Sequence, residues 1–150
     1  MATSPASFKG HPSHPMLVAL PIGLWIFSLV SDIIFKMGWG GAVWSDVAFY
    51  TIAGGTIGAL IAALPGFVDL TSITNPKTKS IALWHMFINL LAVATFACDF
   101  WLRTKRAPGD NLPITLSVIG IILITISGWL GGELVYVRGV AVREPPDQSV

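Results

Sequence analysis

The stretch Ile57-Gly-Ala-Leu-Ile-Ala-Ala-Leu-Pro-Gly-Phe-Val-Asp-Leu70 is almost wholly apolar and lies in a longer hydrophobic run, Val47–Leu70. Three further runs of this kind are Pro15–Phe35, Ile81–Trp101 and Pro113–Val137. Each holds about 20 residues or more, which is the length that a helix needs to cross roughly 30 Å of hydrocarbon. The sequence therefore predicts four transmembrane helices, at approximately residues 15–36, 46–70, 79–103 and 113–137.

The composition supports the same class of protein. Of the 150 residues, 53% are hydrophobic and 11% are charged, which is too little polar surface to cover a soluble core. We expect one all-α domain, residues 1–150, folded as a four-helix transmembrane bundle in the lipid bilayer. The first run is too long for a signal peptide and has no small-residue cleavage site behind it. A net charge of +1 offers no basic face for nucleic acid.

The fourth run repeats the pattern of the second. Its stretch Ile119-Gly-Ile-Ile-Leu-Ile-Thr-Ile-Ser-Gly-Trp-Leu-Gly-Gly-Glu-Leu134 again has Ile-Gly, a second glycine followed by an aromatic residue, and an acid followed by leucine. This repeat indicates two tandem helical hairpins related by a pseudo-two-fold axis along the membrane normal. Chance similarity is the alternative, because apolar helices draw on few residue types.

Four crossings place the N-terminus, the loop between the second and third helices and the C-terminus on one side of the membrane, called face A. The other two loops lie on the opposite side, called face B. Basic residues number five against four, so the positive-inside rule leaves the orientation open. Face A has Lys9, Lys77, Lys79, Arg138 and Arg143, and face B has Lys36, Arg103, Lys105 and Arg106.

Two of the three histidines lie at the face A ends of the first and third helices. An ionisable side chain at the edge of a hydrocarbon core is costly, so His14 and His85 are candidates for a functional site. Asn89 lies one turn after His85 on the same helical face, where its amide could orient the imidazole. The alternative is that His85 and Asn89 form a polar stripe that only hydrogen-bonds to a neighbouring helix.

The leading hypothesis is a small b-type cytochrome-like protein that serves electron transfer rather than a stand-alone enzyme. Haem b would lie between His14 and His85, because diagonal helices of a four-helix bundle suit a pair of axial histidines. Asn89 and Tyr136 would complete the cofactor site, with Tyr136, Asp69 or Glu133 meeting propionates or relaying protons. The electrons would pass to or from a quinone or a separate redox partner.

Two alternatives remain open. The first is a non-haem site for iron, zinc or copper, with ligands drawn from His11, His14, His85, Asp69 and Glu133, which all lie towards face A. The second is an accessory subunit of a membrane complex, in which the histidines only bond across helices.

The second helix carries a ridge of small residues at intervals of four: Gly54, Gly58, Ala62 and Gly66. Such ridges let helix backbones approach closely, within the bundle or in a homodimer. Clearing space for a flat ligand is another use of such a ridge. The single cysteine, Cys98, excludes an intramolecular disulfide and a cysteine-rich zinc or iron–sulfur site.

Three strings resemble the bacterial membrane proteins of the domain-of-unknown-function family 2231. They are the segment from His11 to Trp25, the pair Trp84-His85, and Gly131-Gly-Glu-Leu-Val-Tyr136 with Gly139-Val140. The resemblance implies a four-helix protein of the bacterial inner membrane. Some relatives resemble fusions with Rieske-type domains, which implies a redox setting with an iron–sulfur partner supplied by another protein.

Overall fold

A computed structural model describes residues 4–142 and shows a bundle of four long helices. The helices are α1 (Ser13–Lys36), α2 (Val43–Ser72), α3 (Pro76–Arg103) and α4 (Asn111–Gly132), and α4 continues into a π-helical turn, Glu133–Val137. Each is long and apolar enough to span a membrane. The four predicted helices are confirmed, and they begin and end within about three residues of the predicted bounds. Arg143, counted above for face A, lies outside the described residues.

Side chains at the loops explain where two of the helices begin. Asn75 accepts hydrogen bonds from the backbone N–H groups of Lys77 and Thr78, with Pro76 in the first turn of α3. Asp110 accepts one from Leu112 at the start of α4. That bond and the nearby Arg106 guanidinium hold the pKa of the Asp110 carboxyl below its ordinary value.

The helices are arranged as two hairpins packed against each other. α1 lies along α2 and α3 lies along α4, while α2 with α3 and α1 with α4 make fewer contacts. α1 and α3 therefore occupy diagonal positions, which is the arrangement that the histidine hypothesis requires.

The small-residue ridge of α2 packs inside the first hairpin. A Cβ atom added at Gly54 would lie 3.3 Å from Leu24, and one at Gly58 would lie 3.5 Å from Pro21. Ala62 is buried, and Gly66 lies against the His14 ring. The ridge thus brings α2 close to α1, and its glycines form this contact within a single chain.

Three pairs of side chains meet between the diagonal helices, and each pair has the same separation along the chain. Asp32 accepts hydrogen bonds from Arg103, 71 residues later. Trp25 and Phe96, with that same separation, stack with ring centroids 4.1 Å apart and planes 11° from parallel. His14 and His85 form the third pair, described below. One register therefore relates α1 to α3 along their whole length, as the pseudo-two-fold repeat predicts.

The even helices show a matching register. Gly55 lies against Trp25 and Gly120 against Phe96, while Gly66 lies against His14 and Gly131 against His85. In space, Gly55 therefore corresponds to Gly120, whereas the sequence similarity aligned Gly58 with Gly120. The two alignments differ by three residues, close to one helical turn. Both are possible because each helix has glycines eight residues apart (Gly58 and Gly66, Gly120 and Gly128) and also eleven residues apart (Gly55 and Gly66, Gly120 and Gly131).

A buried cluster of charges joins α1, α3 and α4 near face B. The Arg103 guanidinium donates to both carboxylate oxygens of Asp32, at 2.8 and 2.6 Å, and through Nε to Asp99 at 2.9 Å. Ser117 donates to the other oxygen of Asp99 at 2.6 Å. The sequence placed Arg103 at face B, at the end of the third helix, as one of four basic residues. In the structure it is the last residue of α3 and joins the helices as a buried brace.

The outer surface of the bundle is apolar and aromatic. Trp39, Trp84, Trp101 and Trp129 are exposed, as are about half of the leucine, isoleucine and phenylalanine side chains of the helices. Exposed tryptophan near helix ends is typical of the interface between lipid and water. Trp25 differs from these, since it is buried at the centre of the bundle.

Alanine substitution at Gly55 or Gly120 should destabilise the bundle. The new Cβ atom would lie 2.7 Å from Trp25 at Gly55 and 2.5 Å from Phe96 at Gly120, so a stacked ring must move. We expect a loss of about 1–3 kcal/mol in the free energy of unfolding, as for other overpacked cores. Unfolding of the purified protein in nanodiscs, followed by near-ultraviolet circular dichroism, measures it.

The control is Gly128→Ala in the same helix, where nothing lies within 4 Å of the new atom. This variant should be as stable as the parent or slightly more stable, because alanine favours helix. Equal destabilisation at Gly120 and Gly128 would show that the ring contact is not the cause.

Substitution of Arg103 by methionine should cost about 3–5 kcal/mol, because it leaves two buried carboxylates without their cation. The matched control is Arg106→Met, which removes a partly exposed ion pair with Asp110 of 3.1 Å. Exposed pairs of this type contribute less than about 1 kcal/mol. Similar losses from the two variants, measured as above, would contradict a bracing role for Arg103.

Candidate functional site

The segment before α1 folds over the face A end of the bundle. Its two short strands, β1 (Ser7–Phe8) and β2 (His11–Pro12), form an antiparallel hairpin. The turn residues Lys9 and Gly10 have φ angles of 50° and 81°, which suits glycine and a two-residue hairpin turn. The N–H of Ser13 then donates to the carbonyl of Ala6 at 3.0 Å. This segment, residues 4–12, is called the strap.

Asp69 anchors the strap to the end of α2. Its Oδ1 accepts hydrogen bonds from the Ser4 hydroxyl at 2.6 Å and from the N–H of Ala6 at 3.3 Å. The Asp69 side chain is buried by these contacts. From the sequence, this carboxylate is a candidate metal ligand. In the structure it instead holds the strap against the end of α2.

The His14 ring lies against α2 where the helix lacks a side chain. Nδ1 of His14 is 2.8 Å from the carbonyl oxygen of Ala62. A Cβ atom at Gly66, one turn further along, would lie 2.8 Å from Nδ1. Glycine at position 66 is therefore what allows the imidazole to reach the backbone carbonyl.

His85 repeats this arrangement against α4. Its Nδ1 is 2.9 Å from the carbonyl oxygen of Ser127 and 2.9 Å from the Ser127 hydroxyl oxygen. A Cβ atom at Gly131 would lie 3.1 Å from the ring. The predicted role of Asn89 agrees with its position, since its Nδ2 lies 3.1 Å from Nε2 of His85.

These contacts define the tautomer of both histidines. A carbonyl oxygen only accepts hydrogen bonds, so Nδ1 carries the hydrogen in His14 and in His85. Nε2 then carries the lone pair, which is the form that binds a metal ion. Asn89 donates to the Nε2 lone pair of His85. Within residues 4–142, no hydrogen bond reaches Nε2 of His14.

The two rings face each other across the bundle. Their centroids are 6.2 Å apart and their planes are at 88°. Both side chains are half-buried, so the pair lies at the mouth of the bundle beneath the lipid interface. The meeting of His14 with His85 that the sequence predicted is therefore present in the structure.

The remaining candidate residues lie apart from this pair. His11 is exposed in the strap, where its Nδ1 lies 3.2 Å from the carbonyl of Lys9. Glu133 pairs with Arg138 at 3.1 Å, and the Tyr136 side chain is 89% exposed. Among the residues that the structure describes, no three histidine, cysteine or acidic side chains form a group that could hold a metal ion.

Sequence reasoning missed several residues that position the pair. Ser127 supplies two contacts to His85, and Gly131 clears space for the ring. Serine and glycine are common at helix contacts in membranes, so neither residue stands out by type alone. A shared spacing gives the signal: α2 has Gly55 and Gly66 eleven residues apart, and α4 has Gly120 and Gly131 at the same spacing.

Comparison with known proteins gives one match. The sequence profile of the family described as "Predicted membrane protein (DUF2231)" matches residues 10–144. No curated protein and no solved structure matches.

Nitrogen NMR of histidine-labelled protein should show His14 and His85 with Nδ1 protonated and Nε2 unprotonated at neutral and mildly alkaline pH. Both tautomers are held by backbone carbonyls. The spectra of His14→Gln and His85→Gln assign the signals, and the exposed His11 is the internal reference. An Nε2–H form at either position would exclude the arrangement described here.

Proposed function

This chain belongs to the DUF2231 family of predicted membrane proteins, and we propose that its histidine pair binds haem b and serves electron transfer. His14 and His85 would hold the haem iron. Bound haem would supply reversible one-electron transfer, and histidine ligation is a common way to hold its iron.

The ring geometry of the pair carries this proposal. Two imidazoles that share one metal ion, each through a nitrogen at about 2.0 Å, have centroids about 6 Å apart. The observed separation is 6.2 Å. Each ring also donates Nδ1–H to a backbone carbonyl, which is the orientation that outer-shell partners give to metal-binding histidines.

The surrounding residues would hold the ligands in place. Gly66 and Gly131 let the imidazoles lie against α2 and α4, and the two carbonyl contacts limit rotation of the rings. Asn89 contacts Nε2 of His85, so its amide must turn away before that nitrogen can bind iron. The same amide nitrogen donates to the His85 carbonyl at 3.0 Å, a bond that does not involve the ring.

The location of the pair favours exchange of electrons at face A. His14 is in the first turn of α1, next to the strap and the lipid interface. A membrane quinone or a separate iron–sulfur protein is the partner class that this position suits. Tyr136 is exposed on the same face and is better placed to meet such a partner than to contact the histidines.

A non-haem metal ion is the second candidate. The two imidazoles could also bind a single iron, zinc or copper ion, since neutral imidazole is a ligand of all three metals. The third candidate is an accessory subunit in which the histidines only brace the hairpins. The contact between Asn89 and Nε2 of His85 favours it, because both ring nitrogens of His85 then have partners.

An absorption spectrum of the full chain, purified in mild detergent from cells supplied with haem precursor, distinguishes the three candidates. We expect a Soret band and a reduced-minus-oxidised spectrum of b type, with one haem per chain by extraction. Both His14→Ala and His85→Ala should lose the band. His11→Ala, a change of the same type in the exposed strap, should retain it.

Other outcomes contradict the haem proposal. A colourless protein with stoichiometric iron, zinc or copper by elemental analysis would establish the metal-ion candidate, provided that His14→Ala and His85→Ala lose the metal. A protein with neither chromophore nor metal, folded by circular dichroism and unable to take up added haemin, would leave the accessory subunit. A band that survives in both variants would place the haem elsewhere.

A further inference from the structure

The buried charge cluster near face B is chemically separate from the histidine pair. It consists of Asp32 on α1, Asp99 and Arg103 on α3, and Ser117 on α4. Asp99 and Ser117 are 0% exposed and Asp32 is 2% exposed. Charged groups this deeply buried at the edge of a hydrocarbon core require neutralisation.

Every carboxylate oxygen in the cluster has a polar partner. Asp32 receives two parallel bonds from the guanidinium of Arg103, at 2.8 and 2.6 Å. Asp99 receives one bond from Nε of Arg103 at 2.9 Å and one from Ser117 at 2.6 Å. Arg103 also donates to the Ser117 hydroxyl at 3.3 Å. Every carboxylate oxygen of the cluster therefore has a hydrogen-bond partner, but the charges of the cluster do not cancel.

Two carboxylates share one guanidinium, which leaves one excess negative charge if both acids are ionised. Within residues 4–142, the neighbouring elements do not supply a compensating cation. Asp46 at the start of α2 adds a negative charge, and Arg106 is paired with Asp110 at 3.1 Å. Lys36 donates to Asn111 at the exposed surface. A buried excess charge of this kind is removed by binding a proton.

A cavity links the cluster to the aqueous surface. It has a volume of about 140 Å³. Its walls include Asp32 and Arg103 from the cluster, and Asp46, Arg106 and Asp110 from the loops and helix ends of face B. Polar walls and this volume suit several water molecules, each of which takes about 30 Å³ in the liquid. Asp99 and Ser117 do not line the cavity, so protons from water on face B enter the cluster at the contact between Asp32 and Arg103.

We propose that the cluster is a proton-binding site, filled from face B, in which Asp99 carries the proton at neutral pH. Asp32 makes the two-bond contact with Arg103, whereas Asp99 is bonded to the guanidinium through Nε alone, so the excess charge of the cluster is assigned to Asp99. The proton lies on the Asp99 oxygen that contacts Ser117. The carboxylic O–H donates to the serine hydroxyl oxygen across the 2.6 Å contact, so gaining or losing the proton reverses a hydrogen bond without moving either helix.

This site is independent of the proposed haem. It gives the bundle a proton-binding group at the opposite end from the histidines, with the Trp25–Phe96 stack between them. A proton taken up here removes the excess negative charge of the cluster formed by Asp32, Asp99 and Arg103.

Infrared spectroscopy of the full chain in lipid tests the proposal. At pH 7 we expect the carbonyl band of one protonated carboxylic acid, which shifts when the protein is transferred to D₂O. Asp99→Asn should lose this band, and Asp99→Glu should keep it at a shifted position. The control, Asp110→Asn, removes an exposed carboxyl of the same face and should leave the band unchanged.

If the parent protein shows no protonated carboxyl band at pH 7, the proposal is wrong, whatever the variants show. A band that persists in folded Asp99→Asn excludes it too. If Asp99→Asn does not fold, the position of the band in Asp99→Glu decides: a band unchanged from that of the parent belongs to another acid.

The route through the cavity has its own test. Ser45→Leu, which places a larger side chain in the cavity wall, should slow the hydrogen–deuterium exchange of the band severalfold without removing it. Ser80→Leu, an exposed change near the start of α3, should leave the exchange rate unchanged. Equal rates in the parent and both variants would show that protons reach the cluster by another path.

Discussion

The absence of a side chain at four glycines is the constraint on which the centre of this bundle depends. Gly55 and Gly66 in α2, and Gly120 and Gly131 in α4, each leave space for a ring from the facing helix. Because those rings lie flat against their own hairpin, the two hairpins can approach until the rings meet. The Trp25–Phe96 stack and the His14–His85 pair both result from this approach.

The charged side chains and the histidines lie at the two ends of the diagonal contact. The middle is the Trp25–Phe96 stack, in which the buried Nε1 of Trp25 has no hydrogen-bond partner within residues 4–142. This distribution follows from the bilayer, where a polar group without a partner costs several kcal/mol. At face A the histidines satisfy Nδ1–H with backbone carbonyls. At face B, Asp32, Arg103 and Asp99 satisfy one another, with help from Ser117. The bundle thus holds two chemically distinct sites with an apolar segment between them.

Some of the candidate site was predictable and some was not. The pairing of His14 with His85 follows from their positions at the same end of two helices, and Asn89 follows from helical spacing. Asp69 and Glu133 also lie towards that end, as predicted, but each bonds a nearby group, Ser4 of the strap and Arg138. The order of the membrane crossings shows which residues lie near the same face. It does not show which group each of them bonds, because that depends on distances of a few ångströms in the folded chain.

The sequence by itself determined four membrane-spanning helices, their order, and which residues share each face. The reason is that an apolar run of this length must satisfy its backbone hydrogen bonds internally to cross the bilayer, and it does so as a helix. Tertiary structure alone decided the register between the hairpins. The repeated glycines permit alignments one turn apart, and only the packing of Trp25 on Gly55 and of Phe96 on Gly120 selects one. The same packing makes Arg103, which the sequence shows only as a basic residue at the face B end of the third helix, a buried brace. Helix pairing, and not residue type, brings Asp32 within reach of it.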